Sequence, residues 1–353
     1  MSQDIHFSQF NQMPMNVSPA KTGLFDSEYL SSTYRFNAGY RQQWRSVASE
    51  NFASPKPYAT FFASIDKNLG GLNILGRDLL GLGFSFYKDH AGDINLAQSQ
   101  ANIALAYHKA LNNTQTQFLT LGFNANFNQK TFNKLGTFDK QWNGNNYDKN
   151  LASGEGFNDY QINYLDFGLG LGYWLNIPNG TKLYSAANVQ HLNKPSQNFV
   201  QSNNNTKLAY LWTGNLEIVQ SINEKYFYVP SFIFIKQSSA KAFTLSQQIR
   251  IKSNMANYHQ FGVGARFNSN YQYNTATDAT ILYYKYSYEK INLGLSYDFN
   301  ISNLTTASQY LGAFEFSLQY YFGNDSNPKN KHHRSRLECP KHDPVKNKAL
   351  KLF

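Results

Sequence analysis

Leu165–Ile177 reads LDFGLGLGYWLNI, and it alternates without a break. Leu165, Phe167, Leu169, Leu171, Tyr173, Leu175 and Ile177 fall on one side of a period of two. Asp166, Gly168, Gly170, Gly172, Trp174 and Asn176 fall on the other. Strict alternation marks a strand with two unlike faces. At this length it exceeds the 5–6 residues usual in soluble sheets and fits the roughly 9–11 residues or more of a strand that crosses a bilayer.

The same pattern recurs along the chain. Leu119, Leu121, Phe123, Ala125 and Phe127 oppose Thr120, Gly122, Asn124, Asn126 and Asn128. Ile291 to Asn300 and Phe314 to Phe322 repeat it. Read this way, the chain yields fourteen strands, near 33–44, 58–68, 79–89, 95–111, 116–128, 160–177, 182–193, 207–222, 226–238, 242–252, 257–268, 277–287, 290–301 and 311–322. The connections sort by parity. One set is short (112–115, 178–181, 223–225, 253–256, 288–289), with only 69–78 longer. The other set holds every long loop (45–57, 129–159, 194–206, 269–276, 302–310) and two short members. Outer-membrane barrels have short periplasmic turns and longer external loops.

Composition agrees. Aromatic residues make up 16% of the 353, charged residues only 15%, and mean hydropathy is still −0.53 because neutral polar residues fill the remainder. Soluble proteins carry about 25% charged residues. The balance here suits strands with one face on lipid and one on a wet lumen. No apolar run approaches the roughly 18 residues of a spanning helix, which leaves a closed barrel open as a membrane fold. The single cysteine, Cys339, excludes an internal disulfide framework. The start, Met1-Ser2-Gln3-Asp4, has no basic region followed by an apolar one, so export is inferred from the strand pattern and not from a leader.

The expected architecture is therefore all-β: an antiparallel transmembrane barrel of about 14 strands over residues 33–322. An N-terminal periplasmic or plug-like segment (1–32) precedes it and a basic periplasmic tail (323–353) follows. An even strand number puts both ends on one side. The tail holds eight Lys/Arg against three acidic residues, half of the chain's +10. It reads as extended or solvated, with docking onto an acidic partner as the sharper alternative. Lys329, Lys331, Arg334, Arg336, Cys339 and Lys341 are the candidate contacts.

The opening stretch, QDIHFSQFNQMPMNVSPAKTG (3–23), is rich in Asn, Gln and Ser but keeps spaced Phe and Met. Facing it are inward charges: Asp66, Lys67, Arg77, Asp78, Asp166, Arg250, Arg266 and Glu315. The plainer and favoured reading is a network of ion pairs bracing the wall, since an unpaired charge in a narrow lumen is costly. The sharper one is that they grip the opening segment as a plug. Its contacts would then include Asp4, His6, Phe7, Ser8, Gln9, Asp166, Arg250, Arg266 and Glu315. Gly-x-Gly pairs at 81/83, 168/170/172 and 262/264 sit within strands rather than ahead of a helix, which argues against phosphate binding. The glycines thin the inner wall or let a side chain cross it. The eight histidines lack metal spacing, His332-His333 included, and no catalytic constellation stands out. The expectation is a non-enzyme without cofactor or metal.

Several blocks resemble the PorP/SprF family of outer-membrane proteins, part of the type IX secretion and gliding machinery of Bacteroidetes. They are QDIHFSQFNQMPMNVSPAKTGLF with YRFNAGYRQQW, GLGFSFYKDHAGD (81–93), VQHLNKPSQNF (189–199), YDFNISNLTTASQYLGAFEFSLQYYF (297–322) and Cys339-Pro340-Lys341. The twelve residues after Lys341 depart from the family pattern. The resemblance implies a non-catalytic outer-membrane component that helps secrete or anchor a surface adhesin or other type IX cargo. It would contact periplasmic ring proteins of the secretion machine, with outer-membrane lipid around it and no nucleic acid partner. Two other readings stand beside it: an outer-membrane diffusion or uptake channel for a small hydrophobic solute, and a soluble all-β binding module, recoverable without detergent.

Overall fold

The computed structural model describes residues 7–25, 32–43, 58–69, 76–91, 96–132, 139–146, 148, 150–151, 154, 160–177, 180–197, 199, 207–253, 257–269, 276–302 and 312–324. Fourteen strands form one closed antiparallel barrel: β1 (Ser32–Gln43), β2 (Tyr58–Asn68), β3 (Leu79–Ala91), β4 (Leu96–Ala110), β5 (Gln117–Thr131), β6 (Gln161–Asn176), β7 (Lys182–Gln190), β8 (Leu211–Ser221), β9 (Tyr226–Gln237), β10 (Ala240–Lys252), β11 (Asn257–Ser269), β12 (Ala276–Tyr288), β13 (Ile291–Asn300) and β14 (Ala313–Asn324). Each strand pairs with its sequence neighbours. β1 closes on β14 in a register running from Ser32 opposite Asn324 to Gln43 opposite Ala313. Closure removes the free edges that lipid could not satisfy.

The period of two becomes an inside and an outside. On β6, Leu165, Leu169 and Leu171 are exposed on the outer wall, while Asp166, Gly168, Gly170 and Trp174 are buried within. Such an exposed apolar belt is what lipid covers.

The ends of the strands differ from expectation where local geometry intervenes. β7 stops at Gln190 and not near 193, because His191 takes a left-handed backbone (φ 63°) and turns its ring to Asp166. β8 begins at Leu211, since Lys207 instead makes an isolated bridge to Ser196. The β9–β10 connection shrinks to two residues, with Ser238 left-handed (φ 54°).

Phe7–Phe25 lies inside the barrel. It winds through a 3-10 turn at Phe10–Gln12, a single helical turn α1 (Pro14–Val17) and a second 3-10 turn at Pro19–Lys21. Proline sits at the first position of the last two, where no N–H is needed.

A lumen held by the chain's own N-terminal segment

The segment meets the wall first through apolar side chains. Phe7 stands edge-on to Phe62 at 6.1 Å in a cluster with Met13 and Tyr87. Phe10 and Val17 pack on Ile233, Leu24 on Phe118 and Trp174, and Phe25 on Tyr321. Each contributes about 1.5–3 kcal/mol. Ordering the backbone costs about 1–2 kcal/mol per residue. Over so long a segment the apolar anchors alone fall short, so polar contacts must supply the rest.

Two buried charge clusters do so. In the first, Glu315 accepts the backbone N–H of Ser8 at 2.7 Å and of Gln9 at 2.9 Å. The Ser8 hydroxyl donates to Asp298 at 2.7 Å and accepts from Arg41 at 3.2 Å and from Arg266. Arg41 donates to Asp298 at 2.9 Å and pairs with Glu315, and Arg266 donates to Asp298 at 2.9 Å. Gln9 completes the contact, its amide donating to the Glu315 carbonyl at 3.2 Å and accepting from the Ser317 hydroxyl at 2.7 Å. Two guanidinium groups and two carboxylates balance, which is the condition for burying charge.

The second cluster grips the other end of the segment. Asp66 accepts the Gly23 N–H at 2.6 Å and a bidentate pair from Arg35, at 3.0 Å from Nε and 2.6 Å from Nη2. Arg35 also donates to the carbonyls of Lys21 (2.9 Å) and Leu24 (3.1 Å). His108 donates to the Thr22 carbonyl at 2.9 Å. Between the clusters, Asn188 donates to the Val17 carbonyl at 2.7 Å.

Register explains why these groups meet. Arg41 faces Glu315 directly across β1–β14, and Arg35 faces Asp66 across β1–β2. Both arginines take inward positions of β1. The inward glycines make the remaining room. A Cβ at Gly81 would collide with the Thr22 carbonyl, and one at Gly122 with the backbone at Pro19–Ala20. Gly81 and Gly122 thus admit a second backbone, whereas at Gly168, Gly172 and Gly262 a Cβ would meet the side chains of Gln190, Thr120 and Gln248, the crossing side chain that the sequence suggested.

Lys21 is the costly group. It is buried over the Tyr184 ring at 4.3 Å, and burial pushes its ammonium down to about 8; Glu217 opposes that shift and Arg35 adds to it. It borders a hollow of about 120 Å³, lined also by Asn11, Arg35, Glu217, Arg250 and Tyr321. A second hollow of about 40 Å³ lies beside Ser8–Gln12.

The structure places the expected site residues as follows. Phe7, Ser8, Gln9, Arg266 and Glu315 come together in or next to the first cluster. Asp166 instead accepts from His191 at 2.9 Å and from Asn126 at 3.1 Å. Arg250 donates to Gln260 at 2.8 Å and borders both hollows beside the segment. Arg77 and Asp78 belong to the β3 approach, where they bond Asn113 and Lys109, and Lys67 lies over Tyr34 at 5.0 Å. Asp4, His6 and the tail positions Lys329, Lys331, Arg334, Arg336, Cys339 and Lys341 lie outside the described residues. Wall bracing and segment gripping are not alternatives, because Glu315, Asp298 and Asp66 do both. Arg35, Arg41, His108 and Asp298 escaped the sequence reading. The inward parity of Arg35 and Arg41 on β1 was the signal that could have found the two arginines.

Fold and lumen define the class: an outer-membrane β-barrel occupied by its own N-terminal segment. Residues 1–320 match the family described as type IX secretion system membrane protein PorP/SprF, and the chain belongs to that family. It is accordingly an outer-membrane component of type IX secretion. No curated protein sequence matches it. Among solved structures, the toluene transporter TbuX of Ralstonia pickettii is similar at a TM-score of 0.50 and 10% identity, covering 88% of this chain and 94% of that one. The CymD monoaromatic hydrocarbon channel aligns at 0.49 and 11% (89% and 93%), and a Pseudomonas aeruginosa FadL homologue at 0.49 and 10% (87% and 93%). The likeness to TbuX supports the barrel fold alone.

Proposed function

We propose that the protein is a non-catalytic adaptor that helps secrete or anchor a cell-surface adhesin, serving gliding or a related surface function in a member of the Bacteroidetes. Its turns and both chain ends face the periplasm. Its long loops, 129–159 above all, face outward toward the adhesin or other type IX cargo. The basic tail docks on periplasmic ring proteins, and nucleic acid plays no part. The observation that carries this reading is the occupied lumen: a protein that fills its own barrel through two buried charge clusters is built to hold partners rather than to pass solute. A channel for a small hydrophobic solute would need that space continuous, whereas the hollows beside Lys21 and beside Ser8–Gln12 measure about 120 and 40 Å³. Detergent co-purification from native outer membranes tests it, comparing the intact chain with one ending at Gly323. The intact chain should bring down a large surface protein or ring components, and the shortened chain should lose the ring. Recovery of the barrel alone in both cases would contradict the adaptor.

A further inference from the structure

One position on the outer wall is out of keeping with lipid. β10 presents Leu245, Gln247 and Ile249 outward and Ser246, Gln248 and Arg250 inward. Gln247 is exposed on the lipid-facing side, well inside the strand, five residues from Lys252. The outward amides of Gln42, Gln117, Gln129, Gln161 and Gln220 all stand within two residues of a strand end, where headgroups and water reach them. Its neighbours across the ladder are Pro230 and Val263, whose side chains offer no hydrogen-bonding group. Among the described residues the Gln247 amide makes no hydrogen bond. In hydrocarbon an unsatisfied amide is costly, which makes an intramembrane polar group a marker of a contact.

Gln247 also borders an apolar hollow of about 770 Å³ in the same wall, lined by Phe261, Val263, Leu282, Leu295 and Phe314. An acyl chain can fill such a hollow but gives the amide nothing. A second amide does, because a carboxamide is donor and acceptor at once and pairs with its own kind across a two-fold axis. Polar side chains join transmembrane elements in this way.

We propose that the β9–β14 face is a homodimer interface within the membrane, where Gln247 of one copy pairs with Gln247 of a second and the adjoining hollow takes up the second copy's lipid-facing side chains. Cys339 is the only cysteine, so Cys339→Ser clears the background. Gln247→Cys in that full-length chain, oxidised in native outer membranes, should form a disulfide-linked species of twice the 40.3 kDa chain mass. Leu82→Cys is the control: it is exposed on β3, seven strands from β10 in the fourteen-strand ring, and should cross-link at least tenfold less. Gln247→Leu, which suits lipid and leaves the wall intact, should shift the detergent-solubilised protein toward monomer in light scattering. The proposal is overturned if Gln247→Cys stays monomeric, matches Leu82→Cys, or gives an adduct of another mass, and equally if Gln247→Leu leaves a dimer unchanged.

Discussion

Replacing Glu315 by Gln keeps the shape of the first cluster and removes its charge. The carboxylate accepts the Ser8 and Gln9 N–H groups with separate oxygens and pairs with Arg41. In the variant one oxygen becomes an NH2 that cannot accept, so one backbone N–H faces another donor. Arg41 then shares Asp298 with Arg266, which keeps only a longer contact to Asp278 besides, so Arg41 loses its direct carboxylate partner across the β1–β14 ladder. Losing a charge-assisted hydrogen bond costs about 1.5–3 kcal/mol, and unpairing a buried ion about 3–5 kcal/mol. Because Asp298 and Asp278 still serve the arginines, a net loss of about 4 kcal/mol is the reasonable figure, near a thousandfold in the docked-to-released ratio. Hydrogen–deuterium exchange in detergent reads it directly. Peptides covering Phe7–Phe25 should exchange far faster in Glu315→Gln, while β4, β5 and β6, which do not touch Glu315, stay protected. Unchanged protection of Phe7–Phe25 in a folded variant would refute the role given to this carboxylate.

Three further outcomes test the same account. Gly81→Ala puts a Cβ against the Thr22 carbonyl and should release the Gly23 end of the segment, seen as proteolytic cleavage near Lys21 that the parent resists. Phe62→Ala removes the partner of Phe7 and Met13 and should cost about 3–5 kcal/mol, read as a lower melting temperature in detergent. Lys21→Met should raise that temperature at pH 7. The folded pKa of about 8 lies below the usual 10.5, so the charged form is penalised in the folded state and stability grows as pH rises from 8 toward 10.5. The advantage of the variant, at most about 3 kcal/mol, should fade over that range.

Most of the fold was legible because one physical rule, alternation between lipid and lumen, writes itself into every strand. LDFGLGLGYWLNI announces its inner and outer faces residue by residue. Departures came where a single backbone torsion decides, as at His191 and Ser238. The lumen contacts were harder to read. Ser8 and Glu315 are 307 residues apart, and only closure of β1 on β14 brings them together. Arg41 looks like any surface arginine until the register sets it opposite Glu315. Gly81 and Gly122 show the converse: their inward parity was plain, but the backbone they admit comes from far up the chain. Gln247 was hidden in the same manner, a polar residue in a polar-rich sequence until the outer parity of β10 exposes it.

The most direct measurement is planar-bilayer conductance of the intact chain beside a chain lacking residues 7–25. The intact protein should give no steady unit steps, and the shortened one should give a persistent open level. Equal unit conductance from both would contradict an occupied lumen and return the channel reading to first place.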